Sequence, residues 1–422
     1  MARLSNEIVN EIVNSCLYLY SKLPKTGKPV EKEWTVLSCV VQYDVLSDRY
    51  EVVSLGTGSK CIGAVKMTPD GTLLNDSHAE VFARRGFLLY LYDNLERSLK
   101  NEPSIFTQES GKFVLKDDID FIFYSSQLPC GDASIIPKTG EEEQFGDVIE
   151  SNKRSADDGH CEESKKLKLE DDIHRTGAKC LLDSEQDPKE DGNKYHLVSQ
   201  VRTKPGRGDR TLSVSCSDKM ARWTHVGIQG ALLDILLVKQ IYIKHFIFGA
   251  GVPYSEETLR RAFLKRNLDK EVYLKCIPEV YQSSVIFECV RKQEDLRPAP
   301  GSVVWAKLYE SFSEVAVQGR KLGVTKKKAT SPSSSLCISK YKLYEKFQLI
   351  LSMDRVIREN VIGDNSPDEV PYSEMKRKAT SYQNSWTSVK KNFFKMWTVK
   401  PDMWNFCIKS SGLVQSTQET CS

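Results

Sequence analysis

Short β-rich runs recur along the chain with helical segments between them. VLSCVVQY, YEVVSLGTG and KCIGAVKM follow one another between Trp34 and Lys66, IDFIFYSS occupies 119–126, TLSVSC 211–216 and QIYIKHFIFGAG 240–251. Between them AEVFARRGFLLYLYDNLERSL (79–99) carries Val81, Gly86, Leu88, Tyr92 and Leu95 at helical spacing, with Asp76 or Ser77 available as its cap. The stretch from Asp218 through ALLDILL is helical in the same way. Strands alternating with helices predict an α/β architecture, in which a central sheet is covered by helices. The C-terminal YSEMKRKATSYQNSWTSVKKNFFKMW repeats Met375, Ala379, Tyr382, Trp386, Val389, Phe393 and Met396 at spacings of four and three, which predicts one long helix with a single apolar face.

One segment breaks the alternation. Residues 139–197 are poor in apolar side chains and cannot bury enough surface to order themselves, so they read as a disordered insert. Within 141–196 there are 17 Asp and Glu against 9 Lys and Arg, a balance of −8 in a chain whose net charge is +3. The remainder is therefore basic, as a nucleic-acid binder or an ordinary solvated surface can be. Lys153-Arg154 and Lys165-Lys166 have the spacing of a bipartite nuclear signal or of a solvated charge run.

The longest apolar stretch, 231–250, is interrupted by Asp234, Lys239, Lys244 and His245, which makes it a buried helix and strand and excludes a membrane span. Glu7 and Glu11 interrupt what a secretory signal would need to keep apolar. Twelve cysteines without regular spacing point to a reducing compartment, the nucleus or the cytoplasm.

Chemistry concentrates in three short motifs. NDSHAEVFARRGF (75–87) offers His78 as a metal ligand and Glu80 as a carboxylate at a helix start. LPCGDAS puts Cys130 at the end of a β-rich run, and SVSCSDKMARW puts Cys216 directly before a helix. A thiolate at such a junction is stabilised by nearby amides and the helix dipole. One His and two Cys supply the three ligands of a catalytic zinc with its fourth position open, and Glu80 is placed to shuttle a proton. Zinc deaminases combine H-x-E with P-C-x-x-C. Here position 133 is Ala, and the second cysteine stands 86 residues further on.

That displaced ligand, in an S-C-S-D-K motif, resembles the adenosine-to-inosine RNA editases. GTGSKC, NDSHAEVFARRGF, LPCGDAS, VRTKPGRGD, SVSCSDKMARWTHVGIQGALL and the Lys400-Pro401 that follows Trp397 appear in that family's order, from about Gly56 to Lys400. The resemblance implies a cytidine-deaminase-like three-layer fold, a central mixed sheet flanked by helices with a C-terminal helical extension. It also implies one zinc on His78, Cys130 and Cys216, with Glu80 as proton donor and acceptor, and hydrolytic deamination of adenosine in RNA. The expected layout is a leading helix and strand at 1–55, then the deaminase domain at 56–420 interrupted by the insert. Within the family, the short leading segment and short RTKPGRGDRTLSVSC resemble the tRNA-acting branch, whose implied substrate is adenosine 37 in the anticodon loop of alanine tRNA. Another structured RNA, and a non-catalytic RNA-binding subunit with structural zinc, remain as alternatives.

The same resemblance places Thr57 and Lys60 beside the substrate. It further implies a buried inositol hexakisphosphate, with matching positions at Asn75, Arg84, Arg85, Lys219, Arg222, Trp223, Tyr372, Lys376, Tyr382, Trp397 and Lys400. Guanidinium forks suit phosphate oxygens, and Lys219 and Arg222 share a helix face at i and i+3. An RNA-contacting or solvated surface would use the same cations. Trp386 stands where the family pattern has a lysine.

Overall fold

A computed structural model of the chain describes residues 3–138, 172–206, 210–266, 273–291, 296–310, 312–328, 331–398 and 403–408. The basic pairs at 153–154 and 165–166, and Lys400, lie outside the described residues.

Eight strands form one sheet: β1 (Leu37–Asp44), β2 (Arg49–Thr57), β3 (Ile119–Ser125), β4 (Ile243–Phe248), β5 (Glu279–Gln282), β6 (Gly301–Ala306), β7 (Phe312–Val317) and β8 (Arg320–Lys321). Their order is β5-β4-β3-β1-β2-β6-β7-β8. β3, β4 and β5 run parallel and the other pairings are antiparallel, so the sheet is mixed. The expected boundary at 55/56 falls inside β2, and the leading residues supply an inner strand of this sheet.

The pleat sends alternate side chains into two cores. Val40, Phe121 and Phe123 point to the side covered by α2 (Ala79–Leu99) and the C-terminal helices, while Cys39, Val41, Ile122 and Tyr124 point to the side covered by α1 (Asn6–Lys22). That is why IDFIFYS is apolar without alternation: a central strand buried on both faces has no polar side. α2 lies so close to β2 that a Cβ on Gly56 would sit 2.3 Å from the Ala83 amide nitrogen.

Beyond α2 come α3 (Cys216–Val226), α4 (Ala231–Leu236) and α5 (Glu256–Leu264), then α6 (Lys340–Met353), α7 (Arg355–Ile362), α8 (Tyr372–Arg377) and α9 (Thr380–Val389). The expected single C-terminal helix is thus divided. α8 ends before Ala379, whose ψ of 66° leaves the helical region, and α9 passes into a wider turn at Lys390–Phe394. The apolar face survives the break, with Met375, Ala379, Tyr382, Val389 and Phe393 all buried.

Two other expectations change. TLSVSC is not a strand of the sheet; Val214 makes one isolated bridge to Thr203, and the run serves as the approach to α3. The insert was expected to be disordered throughout, yet its residues 172–197 are packed; 139–171 lie outside the described residues. Ile173–His174 pairs with Ile136–Pro137 and Lys179–Cys180 with Arg202–Thr203. What orders this polar stretch is a buried ion pair: the guanidinium of Arg202, wholly buried, donates two 2.6 Å hydrogen bonds to Asp187.

Candidate functional site

Each of the three ligand candidates stands where an extended segment meets a helical turn. His78 closes the short strand Asp76–His78 and is the N-cap residue of α2; the expected caps, Asp76 and Ser77, lie one step earlier, in that strand. Cys130 follows β3 and precedes a single turn of tighter helix at Asp132–Ser134. Cys216 is the first residue of α3, whose cap Ser215 accepts a hydrogen bond from the Asp218 amide.

The three converge. His78 Nδ1 stands 3.6 Å from Cys216 Sγ and 3.9 Å from Cys130 Sγ, and all three donor atoms lie within 4.8 Å of one another. A tetrahedral zinc with ordinary bond lengths would hold a nitrogen and a sulfur about 3.6 Å apart. One imidazole and two thiols at this spacing therefore fit one metal ion. The thiols titrate as a pair: the hydrogen bond with Cys216 holds Cys130 well below its ordinary value, and burial pushes Cys216 well above. Cys130 is only half-buried and so is His78, which leaves the cluster open on one side.

Glu80, in the first turn of α2, is buried beside them, and its Oε2 has no hydrogen-bond partner. Burial pushes its carboxyl up. An unpartnered buried carboxylate oxygen is costly, and such groups concentrate where chemistry uses them.

The two cysteine loops are tied directly. The Ser217 amide donates to the Cys130 carbonyl at 3.0 Å, and the Ala133 amide to Ser217 Oγ at 3.2 Å. Gly131 sits at φ 107°, and a Cβ there would meet Ser215 Oγ at 2.3 Å. Gly131→Ala is expected to cost about 1–3 kcal/mol from backbone strain alone, read as a lowered urea midpoint; an unchanged midpoint would mean that the loops part freely.

Behind the cluster runs a chain of ion pairs. The buried Lys204 ammonium donates to Cys216 Sγ at 3.0 Å and to both Asp76 oxygens at 2.9 and 2.8 Å, and Lys219 also pairs with Asp76. Burial alone would raise the Asp76 carboxyl, but Lys204 and Lys219 overcome it and hold it well below the usual range. Sequence reasoning found Lys219 and missed Asp76 and Lys204, although Lys204 stands in the quoted VRTKPGRGD.

Lys219 also lines a cavity of about 470 Å³. Arg84, Arg85, Arg222, Lys340 and Lys376 line it with Trp223, Tyr372, Tyr382 and Trp397, and no carboxylate is among the described lining residues. Burial pushes Arg84 down to about 10. Arg85 donates through Nε to the Ile338 carbonyl at 2.5 Å, while its Nη2 and the Arg222 Nε are buried without partners. The Arg222 guanidinium stacks on Trp386, 3.8 Å from the ring centroid. Asn75 is not part of the lining, although its Oδ1 is buried and unpartnered. Lys340 was missed because nothing local marks it: it opens α6, more than a hundred residues after Trp223 and 32 before Tyr372.

Thr57 closes the strand that leads to the Gly58 turn. It is buried within β2, and its Oγ1 accepts a 2.8 Å hydrogen bond from the Val303 amide. Ser59, two residues on, is the register partner of His78, and its buried hydroxyl has no partner. Lys60 is exposed in the same short strand, opposite Ser77.

Residues 54–401 match the adenosine-deaminase (editase) domain family. Over 93% of its length the chain is 36% identical to tRNA-specific adenosine deaminase 1 of Drosophila melanogaster, of which it covers 95%. It is 33% identical to the Homo sapiens protein of the same name, covering 98% of it. Similarity to the double-stranded RNA-specific adenosine deaminase of Mus musculus is confined to 55% of this chain and 18% of that one, at 30% identity.

Proposed function

The chain belongs to the adenosine-deaminase (editase) family and is a hydrolytic adenosine-to-inosine deaminase; from that premise we propose that its substrate is tRNA, at adenosine 37 beside the anticodon of alanine tRNA. The observation that carries the catalytic reading is the unpartnered Glu80 carboxylate oxygen beside the His78, Cys130 and Cys216 donors. A purely structural metal site has no use for it. The relatives that this chain matches over nearly their whole length support a tRNA substrate, as does the brevity of the segment between Lys204 and Cys216, which suits an exposed loop base better than one extruded from a duplex.

His78, Cys130 and Cys216 hold one zinc ion. When bound, the metal supplies the Lewis acidity that makes water a nucleophile near neutral pH. Glu80 takes the proton of the water that attacks C6 of the purine and passes it to N1. It then takes the proton of the new C6 hydroxyl and passes it to the departing amine, so that the C6–N bond breaks, ammonia leaves and the C6 carbonyl of inosine remains. The Ser59 hydroxyl and the Lys60 ammonium, on the strand paired with Asp76–His78, contact the nucleotide and its phosphate.

The cationic cavity holds inositol hexakisphosphate. Six cations around one cavity with no carboxylate repel one another unless a polyanion joins them. Asp76 and Lys204 then connect the polyphosphate-facing Lys219 to the Cys216 thiolate, so that filling the cavity orders the metal centre. Phosphorus analysis of ligand released from denatured protein is expected to give about six phosphates per chain; none would remove this assignment.

No helix among the described residues is long and apolar enough to cross a membrane. No disulfide joins any of the described cysteines, which supports work inside the cell, in the nucleus or the cytoplasm.

The substrate class is tested by offering adenosine as free nucleoside, in a duplex and in tRNA, and assaying inosine. Turnover of tRNA alone is the expected result, and turnover of the duplex or the nucleoside in preference to tRNA would overturn it.

A further inference from the structure

Residues 172–197 do more than fill space. From its far end to the metal site runs an unbroken series of hydrogen bonds. The Gly131 amide, next to Cys130, donates to Thr176 Oγ1 at 3.1 Å. The Thr176 amide donates to His196 Nε2 at 3.2 Å, which leaves Nδ1–H to donate to Asp187 at 2.9 Å. Asp187 receives both terminal nitrogens of Arg202. The backbone of Arg202 then reaches the other cysteine, since its amide donates to Asp218 at 2.9 Å and its carbonyl accepts from the Ser215 amide at 2.8 Å. Ser215 and Asp218 flank Cys216.

One arginine thus joins both cysteine loops, to one by its main chain and to the other through Asp187, His196 and Thr176. We propose that Arg202, Asp187, His196 and Thr176 are positioning residues that set the separation of Cys130 and Cys216 for metal binding, an inference that rests on the reading of those cysteines as zinc ligands. None of the four touches a donor atom of the cluster, and each acts through the backbone beside it. The arrangement suits fixed geometry better than a switch. Burial keeps the His196 imidazole low and therefore neutral, in the tautomer that the Thr176 amide requires, and Arg202 holds the Asp187 carboxylate ionised against its own burial. Every polar group in the series except Arg202 Nε has a partner, so its members have one arrangement to choose from.

Hydrogen bonds behind metal ligands typically govern affinity or activity by about 10–100-fold. The test uses the full chain loaded with zinc. Thr176→Val removes the acceptor for the Gly131 amide while keeping the shape, Thr176→Ser restores it, and Asp187→Asn weakens the far end. Zinc release to a chromogenic chelator is expected to accelerate about tenfold in Thr176→Val and in Asp187→Asn and to stay at the parent rate in Thr176→Ser. The absorption bands of the cobalt-substituted protein should shift in the first two variants and not in the third. Parent-like release and spectra in both of those variants would overturn the proposal, as would a Thr176→Ser variant that behaves like Thr176→Val, since that would mean packing and not the hydroxyl. Thr176→Val and Asp187→Asn test the two ends of the series separately, so a folding failure in one leaves the other to decide. A parent protein that holds no zinc would refute the ligand assignment itself, a result distinct from either.

Discussion

Glu80→Gln is expected to slow inosine formation by about 10⁴-fold in single turnover while one zinc per chain stays bound, because the amide keeps the shape of the carboxylate and cannot carry the proton. The two readouts separate two roles. If Glu80 were a fourth ligand, metal content would fall with the rate; if it were only a buried capping residue of α2, stability would fall and the rate per folded molecule would hold. The structure sets the expectation through position: Glu80 is two residues from His78, in the first turn of the same helix, with one oxygen unpartnered. Activity within a few-fold of the parent would refute the proton-transfer role.

The second large effect concerns the cavity, and there the sign of the change is the test. Arg85→Met and Arg222→Met each remove one cation of the six from around the 470 Å³ space. If a polyphosphate is bound, each loses charge-assisted hydrogen bonds, and the thermal midpoint is expected to fall by several degrees with a loss of phosphorus on purification. If nothing anionic is bound, removing a like charge relieves repulsion, and an apolar replacement raises the midpoint. The Arg222 side chain also stacks on Trp386, so Arg222→Lys, which keeps the charge and loses the planar fork, is expected to fall between parent and Arg222→Met. A rise in midpoint in both methionine variants would contradict the polyphosphate reading.

The grouping of His78, Cys130 and Cys216 was legible because each candidate ligand announces itself within a few residues: His78 with Glu80 at a helix start, Cys130 after Pro129, Cys216 before a helix. The sheet was legible in β1 to β4, where the apolar runs are long. TLSVSC misled because its composition is that of a strand while its backbone is engaged otherwise, by the Lys204 amide that donates to the Ser213 carbonyl and by Arg202. The partner of Thr57 was hidden for a related reason. Period-two alternation says which face a residue takes and not which partner awaits it, and the Val303 amide lies beyond any local signal. The order of residues 172–197 was hidden by their charge, since Asp187 looks solvated until Arg202, 15 residues later, folds back on it. Asp76, Lys204 and Lys340 were invisible as functional residues because each takes its meaning from a contact across the fold.

We propose that this chain deaminates adenosine beside a tRNA anticodon with the His78, Cys130, Cys216 and Glu80 constellation. The most direct test is incubation of the full zinc-loaded chain with alanine tRNA bearing adenosine at position 37, with reverse transcription and sequencing to read inosine as guanosine. Conversion at that position by the parent protein and none by Glu80→Gln is the expected result. Unconverted tRNA alongside conversion of free adenosine, or of cytidine to uridine, would contradict it.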